Sequence, residues 1–152
     1  MSEQVVTHEL FEYNEKEPFH IFNITGNADV GDRLKNHWHE ELEILYCFRG
    51  HCRHYINGVC IVDQPGRLIT TNSGFIHNII PDQELLHSDV LVGCVIIIHP
   101  RLIESVFPDY RDIYFTNGRQ TSCRQIQSIA VKLSEYAGAG EHGEYDYLYA
   151  KS

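Results

Sequence analysis

His37, His39 and Glu43 place three potential metal ligands within seven residues, in the stretch His37-Trp38-His39-x3-Glu43. Residues two apart on a β-strand face the same way, so the two imidazoles share a face, and Glu43 keeps their parity if the strand path continues. Two imidazoles and a carboxylate that converge suit Fe, Ni, Cu, Zn or Mn. A fourth candidate, His77, completes a three-histidine, one-glutamate set if it stands on a neighbouring strand. Without an ion, the same side chains form a buried polar cluster, which must be satisfied by hydrogen bonds and can pair with hydroxyls of a bound molecule. Either way they mark a cavity. Leu45 and Cys47 share the parity of Glu43 and extend that lining with apolar surface, provided no bulge intervenes. Tyr46 and Phe48 face away from it. Trp38 and Phe75 read as core aromatics, and His51 and His54 as surface or hairpin packing.

Such a set needs strands to carry it. Between residues 18 and 99 the chain consists of short β-favouring runs separated by turn residues, at 19–25, 42–48, 51–56, 59–62, 68–71, 75–80 and 88–99. So many short strands in so few residues imply a sandwich or barrel. Asn57-Gly58 separates two of the runs and suits a type I′ hairpin, whose central residues both need positive φ. The stretch from Val90 to Ile98 is apolar on both faces, and its β-branched residues favour a buried strand over a helix. Helical texture follows. Pro100 opens a short helix over 100–107, and Ser122 with Gln125 forms a capping box for a longer one over 122–137. Ile126, Ile129, Ala130 and Leu133 line one face of the latter, either to cover the barrel or to pair with a second copy. A further helix is expected over 144–151, unfinished at its end. Residues 1–17 are polar and acidic, a disordered tail or an arm ordered by docking. The expected organisation is therefore an arm (1–17), a barrel (18–116) and a helical segment (117–152).

Composition narrows the function classes. The chain has 152 residues, 43% hydrophobic and 22% charged, enough for one domain with a core. No run approaches the roughly 20 apolar residues of a membrane helix, and the N-terminus lacks the basic and apolar regions of a signal peptide. A soluble cytoplasmic protein is expected. The five cysteines include no CxxC pair, which argues for reduced packing thiols rather than a disulfide framework or thiolate zinc site. A net charge of −9 repels a phosphate backbone, so these residues are not expected to grip DNA.

Gly31, His37, His39, Glu43 and Gly50 resemble the first cupin motif at each defining position, with matching spacing. Gly66, Gly74 and His77 resemble the second, which departs from the family pattern in having Asn72 where proline is usual and Pro81 where asparagine is usual. The order of arm, barrel, Pro-led helix and later helices is similar to the N-terminal sensor half of AraC-type transcription regulators. The resemblance implies a mainly β cupin fold, a double-stranded β-helix or jelly-roll barrel followed by C-terminal α-helices. It also implies a small-molecule effector, often a sugar or related metabolite, for which His37, His39, Glu43 and His77, with Leu45 and Cys47 added by strand parity, are the expected pocket. A homodimer is implied through the helix bearing Ile126, Ile129, Ala130 and Leu133, with DNA bound by a separate C-terminal helix-turn-helix domain. A divalent Zn, Ni, Fe or Mn ion on His37, His39, Glu43 and His77 is compatible with it. The alternative is a stand-alone metal-dependent cupin enzyme, an isomerase, dioxygenase or decarboxylase, although no second acid or base stands out and no residue is assigned a catalytic role.

Overall fold

The computed structural model describes residues 5–27, 35–118 and 123–139. Nine strands run in the order β1 (Thr7–His8), β2 (Phe19–Thr25), β3 (His37–Trp38), β4 (Leu42–Cys47), β5 (Arg53–Ile56), β6 (Val59–Val62), β7 (Leu68–Thr71), β8 (His77–Ile80) and β9 (Leu91–Ile98), followed by α1 (Pro100–Val106) and α2 (Arg124–Ala139). The strands form two sheets, ordered β2-β9-β4-β7 and β1-β3-β8-β5-β6. All seven runs read from the sequence appear as strands. Two more, β1 and β3, are only two residues each and too short to show an alternating pattern. Asn57 and Gly58 take φ of 47° and 80°, and the β5–β6 hairpin they close pairs Ile56 with Val59, as a type I′ turn requires.

Strand parity sets the interior. On β4, Glu43, Leu45 and Cys47 point inward, and the antiparallel register on β9 sets Ile97 and Val95 opposite the first two. Leu45, Cys47, Ile56, Ile69, Val95 and Ile97 form the core, with Phe11, Phe22, Phe75 and Ile79 packed around it. Burying each large aliphatic side chain contributes about 1.5–3 kcal/mol over leaving it exposed. The run from Val90 is a strand because both of its faces are covered, one by this core and the other in part by α2.

Side-chain amides finish what the ladders leave open. At the free edge of β7, Asn117 accepts from the Thr70 amide and donates to the Thr70 carbonyl, both at 2.7 Å. Asn72 grips Phe115 in the same two-handed way at 2.8 Å. Two asparagines thus lay the 113–117 segment along an edge that would otherwise template aggregation. Helix α1 begins on Pro100, and the His99 ring caps it by accepting from the Arg101 amide at 3.2 Å. Helix α2 rests on β2 through buried Ala130 and Ser134, and Asn23 donates to the Ser134 carbonyl at 3.0 Å. Ile126 and Ile129 remain exposed on its outer side. Ser122, Gly31 and the helix expected over 144–151 lie outside the described residues. No described helix is long and apolar enough to cross a membrane.

One end of the barrel is floored by the 81–90 loop, which contains a single 3-10 turn at Gln83–Leu85. Gly26 admits the loop: its carbonyl accepts from His87 at 2.9 Å, and a Cβ there would lie 1.7 Å from the Leu85 carbonyl oxygen. Gly26→Ala is therefore expected to displace the floor and lower stability by about 1–3 kcal/mol, the usual cost of overpacking. Gly118→Ala, with nothing within 4 Å of its added methyl, is the control. Urea midpoints check this, and an unchanged midpoint for Gly26→Ala would contradict the packing described.

Candidate ligand and metal site

The four polar residues singled out in the sequence meet at the other end of the barrel. β3 supplies His37, whose register partner on β8 is His77. His39 lies just past β3, and Glu43 lies on β4. The rings of His37 and His77 are 4.1 Å apart between centroids, and those of His39 and His77 are 5.0 Å apart. Glu43 Oε2 lies 3.3 Å from His39 Nε2 and 3.5 Å from His77 Nε2. His39, Glu43 and His77 are all buried.

The ring orientations suit a ligand role. The Nδ1–H groups of His37 and His77 donate to the carbonyls of Lys35 at 3.0 Å and Phe75 at 2.9 Å. Anchoring one ring nitrogen this way fixes the tautomer and turns the other nitrogen inward as a lone-pair donor, the arrangement that metal-bound histidines favour. One nitrogen from each of His37, His39 and His77 lies within 4.8 Å of the other two. Ligands about 2.1 Å from a shared tetrahedral ion stand roughly 3.4 Å apart, so the rings would need to draw in by about an ångström. His77 Nε2 and His39 Nδ1 are buried without a hydrogen bond among the described residues, and an ion or a ligand hydroxyl would relieve the cost of such orphaned groups.

Charge is balanced within the cluster. Burial pushes the Glu43 carboxyl up, but its contacts with His39 and His77 outweigh that and hold it well below the usual carboxylate range. Burial disfavours the charged form of His77, yet its contact with Glu43 prevails and raises it. Burial, reinforced by the charge of His77, lowers His37 to about 4. The cluster thus holds a carboxylate, and His37 is neutral near neutral pH.

Residues that pattern reasoning did not single out cover this end. β1 pairs in parallel with β3, and the amides of Thr7 and Glu9 donate to the carbonyls of Asn36 and Trp38 at 3.0 and 2.9 Å. His8 stacks on Trp38 with centroids 3.8 Å apart. Phe11 meets the His39 ring edge-on at 5.4 Å. Glu9 stands 3.6 Å from His37 Nε2, and Glu41 stands 3.6 Å from His39 Nδ1. The Tyr13 phenol is pushed up by burial and by the charge of Glu41. The polar arm thus lies on the histidine cluster itself.

Leu45 and Cys47 behave differently from the four. Leu45 lines a cavity at the opposite, floored end, while Cys47 is fully buried in the core. His54 is not on the surface: it is 3% exposed, and its Nε2 lies 2.9 Å from Asp63 Oδ2. Its position on β5 turns it inward, and the partner that permits this burial, Asp63, lies beyond the next strand, where no local spacing connects the two.

A sequence profile described as the AraC-like ligand binding domain matches residues 25–148. The chain belongs to that family. Residues 5–24, which include the docked arm, precede the matched region of this AraC-like domain, and no curated protein matches its sequence. Among solved structures, an S161A mutant of oxalate decarboxylase from Bacillus subtilis aligns at 17% identity and a TM-score of 0.34, over 75% of this chain and 29% of that one. The Cupin_2 domain of an XRE family transcriptional regulator from Enterobacter cloacae aligns at 16% identity and 0.33, over 60% and 90%. The plu4264 protein from Photorhabdus luminescens aligns at 11% and 0.35, over 68% and 98%. The AraC-like domain thus spans under a third of the decarboxylase chain. The described residues form a mainly β barrel with a C-terminal helix, and the family is one of ligand binding domains.

Glu43→Gln tests the charge balance. A carboxyl held below 4.5 in the folded protein contributes stability that is fully present above that pH and is lost as pH falls through its folded value. With metal chelated, the substitution should cost roughly 1–3 kcal/mol at pH 7, and the gap from wild type should narrow between pH 5 and pH 3. Urea midpoints across that range measure it, and a gap constant with pH would contradict the assignment.

Proposed function

We propose that the chain is the effector-sensing part of an AraC-type transcription regulator, taking a small polar metabolite such as a sugar at the His37, His39, Glu43 and His77 end of the barrel. The observation that carries this reading is the arm laid over that cluster: Glu9 and Phe11 contact the same imidazoles that a ligand would contact. A ligand hydroxyl that replaces those contacts, or adds to them, changes the free energy of docking the arm by its differential affinity for the two arrangements. In this reading the protein is cytoplasmic and forms a homodimer through α2, with the exposed Ile126 and Ile129 meeting a second copy while Ala130 is buried. DNA is bound by a separate helix-turn-helix domain. The effect is regulatory, with no turnover.

A divalent Zn, Ni, Fe or Mn ion fits the same residues. His37, His39 and His77 would bind through ring nitrogens and Glu43 through a carboxylate oxygen, and the ion would polarise a ligand oxygen. The two backbone-anchored Nδ1–H groups favour this second reading. It extends to a cupin enzyme only if substrate is consumed.

A panel of pentoses, hexoses and sugar acids tests the sensor reading by thermal shift. One or more should raise the melting temperature saturably, by the equivalent of about 2.7 kcal/mol at a hundredfold excess over Kd. It should be recovered unchanged, and His39→Ala should weaken its binding at least tenfold. Consumption of every stabilising compound would instead indicate an enzyme. For the ion, elemental analysis after incubation with each metal should give close to one equivalent in wild type and a large loss in His77→Ala. Equal content in both would remove His77 from the ligand set.

A further inference from the structure

The turn between β7 and β8, residues 72–75, touches the histidine cluster on one side and the 113–117 segment on the other. The Phe75 amide donates to the Asn72 carbonyl at 3.1 Å, and Gly74 takes the positive φ of 76° that closes so tight a turn without strain. On its inner side, the Gly74 amide donates to the His39 carbonyl at 2.8 Å, and the Phe75 carbonyl accepts from His77 Nδ1 at 2.9 Å. On its outer side, the Asn72 side chain takes both backbone groups of Phe115, at 2.8 Å each. The Phe75 ring stacks on Tyr114 with centroids 6.0 Å apart.

Side chains hold the 113–117 segment on the barrel as a strap. Asn117 joins it to Thr70, and Arg67 donates to the Asn117 carbonyl at 3.0 Å. Tyr114 is 66% exposed and Phe115 42%, so little apolar burial fixes the strap between its clamps. Asn72, by contrast, is buried and shares its turn with Gly74 and Phe75. Hydrogen bonds of this kind span about 2.7–3.2 Å, so a shift of the turn by more than roughly half an ångström breaks both bonds to Phe115 together. Helix α2 begins at Arg124, a short way along the chain from the strap. Asn72 also stands where the second cupin motif usually has proline. Proline has no side-chain amide to offer Phe115, so this departure from the motif is what joins the turn to the strap.

We propose that Asn72 is a positioning residue that couples the histidine cluster to the strap. A change in how His39 and His77 are held moves the 72–75 turn, and the turn docks or releases the 113–117 strap ahead of α2. The inference rests on the sensor reading for its purpose, since it names an output of that same site. A clamp that only covers the edge of β7 would protect that edge whatever the state of the cluster.

Hydrogen exchange on the full chain, with metal chelated and no effector, separates the two. The Thr70 amide reports strap docking, because its acceptor is the Asn117 side chain. His77→Ala should speed its exchange at least tenfold relative to amides in the centre of β9. In an Asn72→Ala background the same change should have less than a twofold effect, as a cycle with a shared link requires. Wild type supplies a second measurement should His77→Ala fail to fold. As urea rises below the unfolding transition, exchange at the Gly74, Phe115 and Thr70 amides should increase with one common slope, as in a cooperative unit. Equal exchange at Thr70 in wild type and His77→Ala, an undiminished His77→Ala effect without Asn72, or separate slopes for Gly74 and Phe115 would overturn the coupling. If these results hold while no metabolite binds, the sensor reading fails and the coupling stands.

Discussion

A carboxylate buried inside an apolar barrel is the constraint from which the rest follows. Glu43 faces inward because β4 places it in phase with Leu45 and Cys47. An ionised group in such a place is tolerated only when it is paired and hydrogen-bonded. His39 and His77 supply the pairing, and each must be held by something else. His77 is held by the Phe75 carbonyl and by pairing across to β3, and His39 by Glu41 and the edge of Phe11. Two strands and the N-terminal arm are thereby tied to a single charge.

This arrangement gives the barrel two unlike ends. At one, charge and imidazole are concentrated and the arm is docked. At the other, aliphatic side chains, the His54–Asp63 pair and the 81–90 loop enclose an apolar chamber. Between them lies the packed centre of Leu45, Cys47, Ile69, Val95 and Ile97. Such a centre resists continuous deformation, so a change at the polar end is passed on more readily through the elements that end there, the arm and β3, than through the core. An arm docked directly on the polar site needs no longer path.

The strands and the four-residue cluster were legible in the sequence because both depend on a period of two, which local spacing reports faithfully. His37, His39 and Glu43 reveal their shared face by parity alone, and His77 through a second motif. Three features were not legible, each for a physical reason. β1 is two residues long, and its pairing with β3 is set by contacts made thirty residues away. His54 reads as a hairpin residue because its burial depends on Asp63, and carboxylates are rarely buried unless paired. Asn72 reads as a departure from a motif, whereas in the structure it clamps Phe115 and protects the edge of β7.

Hydrogen exchange at the backbone amides of Thr7 and Glu9 tests most directly whether the polar cluster and the arm form one ligand-responsive unit. These amides bond the carbonyls of Asn36 and Trp38, on either side of His37, and report only on arm docking. The account predicts that occupying the cluster, with Zn or Ni in place of a chelator, slows their exchange at least tenfold while amides in the centre of β9 are unchanged. Identical exchange at Thr7 and Glu9 in bound and chelated protein would contradict it.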